Sequence, residues 1–330
     1  MAKSLRYLVL DCETATLPFS DAIARGDSEV KKRIAIARPL IYDIGWVITN
    51  RKGEILKKVN YLIAEIFSVP SVFNTAYYAD KRPIYLEMLQ RGEITIKTWN
   101  EAINEFVNDA ETVDGIGAFN SMFDFKKAIP FTDLYISKLY SPDYYTWEKM
   151  QYTLCEHIAY GKKKESENNF EPDVFRFRNK VYNLFDLWGL ATTHLLNTVT
   201  YKSKCMDNES FTNSGLYFKT SAEMVYRYLQ DKYDFIEAHT ALDDAIIESH
   251  ILSRIAKKHA ISMGIKYFPF RDLGTTIEFC KRKAQVKPSE CWRVIDKIND
   301  YINSKDESNG SNYISMLINK IEELQEAMGV

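Results

Sequence analysis

Two carboxylates, Asp11 and Glu13, close the apolar run in "LVLDCETATLPF", residues 8–19, with one residue between them. On a strand, residues two apart point to the same face. The pair therefore stands side by side near the end of what reads as a buried strand. Like charges at that distance repel unless a cation neutralises them. A metal site built from hard oxygen ligands, of the kind Mg²⁺ or Mn²⁺ takes, is the chemistry that suits such a pair.

Two later segments add to it. In "GAFNSMFDFKKA", Asp124 follows a strand and enters a helix, with Asn120 four residues before it; in "EAHTALDDA", His239 precedes Asp244 by five residues at the start of a long helix. Each fragment alone has an ordinary reading. A D-x-E pair can be a solvated strand end, Asp124 a first-turn acid favoured by the helix dipole, and His239 with Asp244 a surface pair. Together they supply four carboxylates and one imidazole from three regions, each at the edge of an element. Asp243 lies about 100° around the helix from Asp244, so only one of the two faces the site. Asp186, in "NLFDLW", reads as a cap or hydrogen-bonded acid before a helix.

The elements that must position these groups follow from periodicity. "YLVLDC" is a first strand, and "YDIGWVITNRKGEILKKVNYLI" is a hairpin turning near Lys52-Gly53. "SDAIARGDSEVKKRIAIARPL" contains a short helix. "IKTWNEAINEFVNDA" is a helix carrying Trp99, Ile103, Phe106 and Val107 inward, and it leads to a fourth strand, "VDGIGAFN". "NLFDLWGLATTHLL" is a short strand and then a helix. Thr220 and Glu223 form a capping box opening "TSAEMVYRYLQDKY". In "AHTALDDAIIESHILSRIAKKHA", Ala241, Ala245, Ser249, Leu252 and Ile255 line one helical face. "NSKDESNGSN" has linker composition, and the last helix carries a stripe of Ile314, Leu317, Ile318, Ile321 and Leu324.

Composition bounds the class. At 330 residues, 46% hydrophobic and 27% charged, the chain is a soluble globular protein with ample core. A formal net charge of -2 gives no support to nucleic-acid binding by global charge, although a metal-dependent nuclease is compatible with neutrality. The five cysteines are scattered, with no CxxC pair, which fits a reducing cytoplasm. The opening apolar stretch is too short for a signal peptide, and no run approaches the roughly 18 apolar residues of a membrane span. The expected location is the cytoplasm, without membrane association.

The motif set resembles the DEDDh 3′-5′ exonucleases. It comprises Asp11, Glu13 and Thr14 in the first strand, then Asn120 and Asp124, then His239 and Asp244, and "HTALDDA" is a close match to that family's third motif. "ETATLPF" and "LIYDIGWVI" are similar in particular to phage and prophage exonuclease-like proteins. The resemblance, over roughly residues 5–255, implies an α/β RNase H-like fold. That fold is a five-stranded mixed sheet, three antiparallel strands first, flanked by helices. Insertions at about 15–40 and 131–220 depart from compact members of the family. The exonuclease domain would span 1–258, and 259–330 would be a helical C-terminal extension with a linker at about 303–312.

The resemblance also implies two divalent ions, Mg²⁺ or Mn²⁺, held by Asp11, Glu13, Asp124 and Asp244, with His239 as general base. Thr14 would contact the terminal 3′-hydroxyl, Leu17 would wedge beneath the last base, and Asn120 would hold a phosphate. The implied reaction releases nucleoside 5′-monophosphates from the 3′ end of single-stranded DNA. RNA trimming is the alternative within the class; a nucleic-acid-binding module without turnover is the rival outside it, and a polymerase's proofreading subunit is a third reading. The aromatics read as core rather than as base-stacking platforms. The clusters at 162–164 and 281–283 read equally as backbone contacts or solvated surface. The terminal helix reads as a homodimer or partner helix, or as one packed back onto the domain.

Overall fold

A computed structural model describes residues 5–16, 39–139, 174–282, 286–305 and 311–329. Seven strands form one mixed sheet: β1 (Arg6–Thr16), β2 (Pro39–Asn50), β3 (Ile55–Ile63), β4 (Thr95–Lys97), β5 (Gly115–Ala118), β6 (Val174–Phe177) and β7 (Lys180–Asp186). Their spatial order is β4-β3-β2-β1-β5-β7-β6. The longer helices are α1 (Arg82–Arg91), α2 (Trp99–Ala110), α3 (Ile129–Leu139), α4 (Val199–Asp207), α5 (Ala222–Gln230), α6 (Ala241–Ala256), α7 (Pro288–Asn303) and α8 (Ser311–Met328). By compactness the chain gathers into two units. One is Met1–Leu187 with Glu237–Tyr267, and the other is Trp188–Ile236 with Phe268–Val330. The segment 188–236 thus groups with the C-terminal stretch.

In the first unit β1, β2 and β3 are antiparallel neighbours, as expected, and β5 joins β1 in parallel. This mixed α/β arrangement is compatible with an RNase H-like fold, but the strand count of seven corrects the expected five. Two short elements account for the difference. β4 has three residues, too few to leave a period, and pairs in parallel with β3. β6 and β7 form a hairpin in which Phe177 faces Lys180, leaving a two-residue turn of Arg178 and Asn179. Both turn residues have positive φ, 46° and 64°, as a primed hairpin turn requires. Arg-Asn lacks the glycine that usually marks such a turn.

Opposite faces of the sheet are covered by different helices. Trp46 is fully buried, and its Nε1 donates to Asp109 Oδ2 of α2 at 2.8 Å. Lys57 Nζ donates to the same oxygen at 2.7 Å, so that carboxylate is shared. α2 starts with the capping box Thr98–Glu101 and buries Trp99, Ile103, Phe106 and Val107, as its periodicity predicts. The other face, carrying Gly45, is covered by α6. A Cβ added at Gly45 would lie 2.3 Å from Leu242 N and 2.5 Å from Ala241 C. Only glycine lets the helix backbone come this close. Along α6, Ala241, Ala245, Ser249, Leu252 and Ile255 are buried as expected.

The second unit is helical. α7 packs on α8, burying Val294, Ile295, Ile298, Leu317, Ile321 and Leu324. Ile318, expected in the apolar stripe, is instead 43% exposed. It follows Leu317 around the helix, on the flank away from the contact. The expected cap at Thr220 is also corrected: Ser221 is the N-cap of α5 and accepts from Met224 N, while Thr220 Oγ1 accepts from Trp188 Nε1 at 2.9 Å. With that hydroxyl engaged, the next hydroxyl caps. No helix among the described residues is long and apolar enough to cross a membrane. The short helix expected before residue 38 and the cluster at 162–164 lie outside the described residues, as do Lys283 and residues 306–310 of the expected linker.

Gly45→Ala is expected to lower stability by at least about 2 kcal/mol, because two backbones must part to admit one methyl group. Thermal unfolding monitored by circular dichroism checks it, with Ile44→Val on the opposite face as a milder comparison, about 1 kcal/mol.

Candidate metal and catalytic site

The site forms where β1, β5 and α6 converge at one end of the sheet. Asp11 and Glu13 extend from β1, and register with β2 shifts directly after Glu13. Glu13 faces Asp43 and Thr14 faces Ile41, so Tyr42 is an extra residue on β2. Such bulges re-aim side chains. Asp124 leaves β5 through a tight link. Asn120 O accepts from Phe123 N and Asp124 N, and Ser121 Oγ donates to Phe185 O at 2.7 Å. Asp124 then opens a π-helical turn over Asp124–Ala128, in which Ile129 N donates to Asp124 O. A single π turn swings a side chain out of α-helical phase.

His239 and Asp244 come from the entry to α6. His239 has φ 52°, a left-handed conformation that costs a side chain of this size on the order of 1–3 kcal/mol. Its imidazole stacks on Tyr78 with ring centroids 4.6 Å apart and planes 16° apart. Nδ1 lies 3.7 Å from Glu237 Oε2 and 3.9 Å from Asp244 Oδ2. Ligand atoms of Glu13, His239 and Asp244 all fall within 4.8 Å of one another.

Electrostatics mark the site as one acidic pool. Burial raises the Asp11 carboxyl well above the usual range, and Glu248, Asp124, Asp244 and Glu13 push it further. Glu13 rises to about 8, chiefly through burial and then Asp43, against the opposing charge of Lys81. Asp124 is also pushed up to about 8 by burial, offset by its own backbone N–H and the Cys12 thiol, while Asp186 adds to the rise. Asp244 reaches about 9 through burial, Glu237 and Glu13, again opposed by Lys81. Asp244 Oδ1 is buried with no hydrogen-bond partner. A buried acceptor in that state costs about 1–3 kcal/mol unless something positive meets it. Hard oxygens, crowded, dehydrated and incompletely partnered, fit a divalent cation. Asp11, Glu13, Asp124 and Asp244 would hold it.

The structure thus brings Asp11, Glu13, Asp124, His239 and Asp244 together. Asp243 points to solvent and accepts from Thr240 Oγ1 at 2.7 Å. Thr14 is half-buried beside Glu13, and Asn120 is exposed at the head of its turn with no side-chain capping bond. Leu17 lies outside the described residues. Asp186 Oδ1 accepts from Ser121 N at 3.3 Å, the hydrogen-bonded acid its sequence context suggests. Three acids were not singled out from sequence. Glu248 is one helical turn beyond Asp244, and its Oε2 accepts from Phe119 N at 3.0 Å; its spacing of four from Asp244 was the available signal. Asp43 Oδ2 accepts from Ala241 N and Tyr85 OH, and Glu237 sits just ahead of His239. Neither left a signal in the sequence.

No protein-family model matches the chain, and no curated protein sequence matches it. Among solved structures the chain is similar to cell-death related nuclease 4, at 14% identity and a TM-score of 0.37, over 78% of this chain. The match spans 66% of that protein, just under two thirds of its length. At such a distance the likeness bears on no residue's role, and the reading of the site stands on its own geometry.

The raised carboxyls fix the sign of a pH effect. Ordinary carboxyls ionise near pH 4, whereas Glu13 and Asp124 hold their protons to about 8 and Asp244 to about 9. Between these limits the three groups bind more protons in the folded chain than in the unfolded one, so the stability they contribute is full below about pH 4 and is lost as pH rises. In EDTA, Tm should fall steadily from about pH 5 to about pH 9. Asp244→Asn should flatten that slope and raise Tm at pH 8 by ~2–4 °C, for about 1 kcal/mol of relieved repulsion.

Proposed function

We propose that the protein is a divalent-metal-dependent 3′-5′ exonuclease that releases nucleoside 5′-monophosphates from single-stranded DNA. What carries this reading is the approach of Glu13, Asp244 and the His239 imidazole to within 4.8 Å of one another, with Asp11 and Asp124 in the same cluster of mutually repelling acids and a buried Asp244 oxygen without a hydrogen-bond partner. The motif order in the sequence, D-x-E-T, then the Asn120–Asp124 segment, then H-x-x-x-x-D, agrees with it.

In this reading the four carboxylates bind the cations. When bound, divalent ions neutralise the acidic pool and stabilise charge on the attacking and leaving oxygens of an in-line displacement. His239 accepts the proton of the attacking water. Glu237 and Asp244 face its Nδ1, so the imidazolium that forms meets negative charge. By the resemblance of the motifs, Thr14 contacts the terminal 3′-hydroxyl, Asn120 holds a phosphate, and Leu17 wedges beneath the last base. Glu248 steadies the β5 end through Phe119, the stretch that delivers Asp124.

The test uses purified protein with 5′-labelled single-stranded DNA, duplex DNA and RNA of matched sequence, each with Mg²⁺, Mn²⁺ or EDTA. A ladder shortening from the 3′ end of single-stranded DNA is expected, absent in EDTA and reduced on the order of 10³-fold or more in Asp11→Ala. A ladder on RNA alone would move the assignment to an exoribonuclease. Tight binding without cleavage of any substrate would replace the enzyme with a binding module. Mg²⁺ at about 100 times its pH 8 dissociation constant should also stabilise the fold by about 2.7 kcal/mol, and the same concentration should stabilise it less at pH 5, because cation binding needs the carboxyls ionised.

A further inference from the structure

His239 sits in a strained left-handed conformation just ahead of α6. It precedes the first turn of α6, its φ is left-handed, and its neighbours on the chain, Glu237 and Ala238, belong to no helix or strand. The segment between Phe73 and α1 supports it from across the site. Tyr78 presents the whole face of its ring to the imidazole, 4.6 Å away and nearly parallel. Lys81 Nζ stands 4.4 Å from the centroid of that ring. The same ammonium donates to Ala238 O, the carbonyl preceding His239. One lysine therefore touches both the ring that supports the imidazole and the backbone that carries it.

The segment is fastened at both ends. Thr75 Oγ1 accepts from Thr16 N at 2.9 Å, tying it to the strand that bears Asp11 and Glu13. Arg82 lies over the rings of Phe67 and Phe73, 4.9 and 5.0 Å from their centroids, and donates to Phe67 O. Tyr77 meets Tyr78 edge to face at 4.8 Å. A bracket anchored to β1 thus reaches across to the loop ahead of α6, and a cation–π contact and a stacked pair, each worth ~0.5–1.5 kcal/mol, offset the strain at His239.

We propose that Tyr78 and Lys81 are the positioning residues for His239: the Tyr78 ring sets the plane of the imidazole, and Lys81 clamps the carbonyl before it, holding the ring nitrogens against Glu13 and Asp244. Neither residue needs to touch the reacting atoms. The kinetic consequence rests on the exonuclease reading, whereas the geometric one does not. A catalytic base displaced by about 1 Å can lose on the order of 100-fold in rate.

Tyr78→Leu, Tyr78→Phe and Lys81→Met test it with two readouts. In a carbon–proton correlation spectrum of the histidine rings, with His239 assigned through His239→Asn, the native His239 signal should lie upfield because it is stacked on an aromatic face. It should stay there in Tyr78→Phe and move downfield in Tyr78→Leu, and in Lys81→Met it should broaden or shift. On 5′-labelled single-stranded DNA with Mg²⁺, Tyr78→Leu should lose on the order of 100-fold in kcat with KM within about twofold, and Tyr78→Phe should recover to within about threefold. An unmoved His239 signal in folded Tyr78→Leu, or a native kcat in that variant, would overturn the proposal. Should Tyr78→Leu fail to fold, an unmoved signal or native kcat in Lys81→Met overturns it equally. If the native protein cleaves nothing, the exonuclease reading fails, and the His239 signal alone still decides whether the bracket positions the ring.

Discussion

The close approach of the α6 backbone to β2 at Gly45 is the contact on which the site depends. A strand residue with any side chain would hold the helix away, and Asp244, in the first turn of α6, would then stand clear of Asp11 and Glu13. Asp43, two residues before Gly45, reinforces the contact by accepting from Ala241 N, so the strand itself satisfies one of the unpaired amides of the helix start. Packing and polar satisfaction thus act on the same few residues. Gly45 pairs with Asp11 across β1 and β2, so the contact that admits the helix is also the one nearest the first carboxylate.

That arrangement gathers acids that would otherwise avoid one another. Burial and mutual repulsion raise Asp11, Glu13, Asp124, Asp244 and Glu248 together. The positive end of the α6 dipole and the ammonium of Lys81 offset part of the repulsion. The rest is carried by the surrounding core, in which Leu8, Leu10, Ile44 and Trp46 are buried on the flanking strands. A fold tolerates such local cost when the remainder of the structure over-determines the position of each group. Buried carboxyls with raised pKa values gathered in one place make a candidate functional site.

Sequence pattern made the strands and helices that carry the chemistry legible, because each obeys a simple period. β1, the β2–β3 hairpin, α2 and α6 follow from alternation or 3.6-residue spacing; helical phase shows that only one of Asp243 and Asp244 can face the site, and the H-x-x-x-x-D spacing of the resembled motif selects Asp244. What pattern could not reveal depends on distant pairing. β4 has three residues, and the turn at Arg178-Asn179 is specified by geometry rather than by glycine. Asp43 reads as one polar residue in an apolar strand until Ala241, nearly two hundred positions away, is placed against it. Glu248 reads as a routine helix acid until Phe119 N meets it. Tyr78 and Lys81 sit in a stretch whose composition announces nothing about a histidine at 239.

Three of the backbone's irregularities fall at the candidate site. The bulge at Tyr42 lies beside Glu13, a π-helical turn begins at Asp124, and His239 takes a left-handed φ. Regular strands and helices repeat directions set by fixed periods, and three elements of different type do not aim their side chains at a common point by repetition alone. Each departure re-aims one side chain without moving the element behind it. Only Asp244 is delivered by unbroken helix, and for it the adjustment is made on the partner strand, by deleting the side chain at Gly45. Convergence on one small volume is therefore achieved by four local exceptions, and the regular stretches of sheet and helix around them keep those exceptions from relaxing.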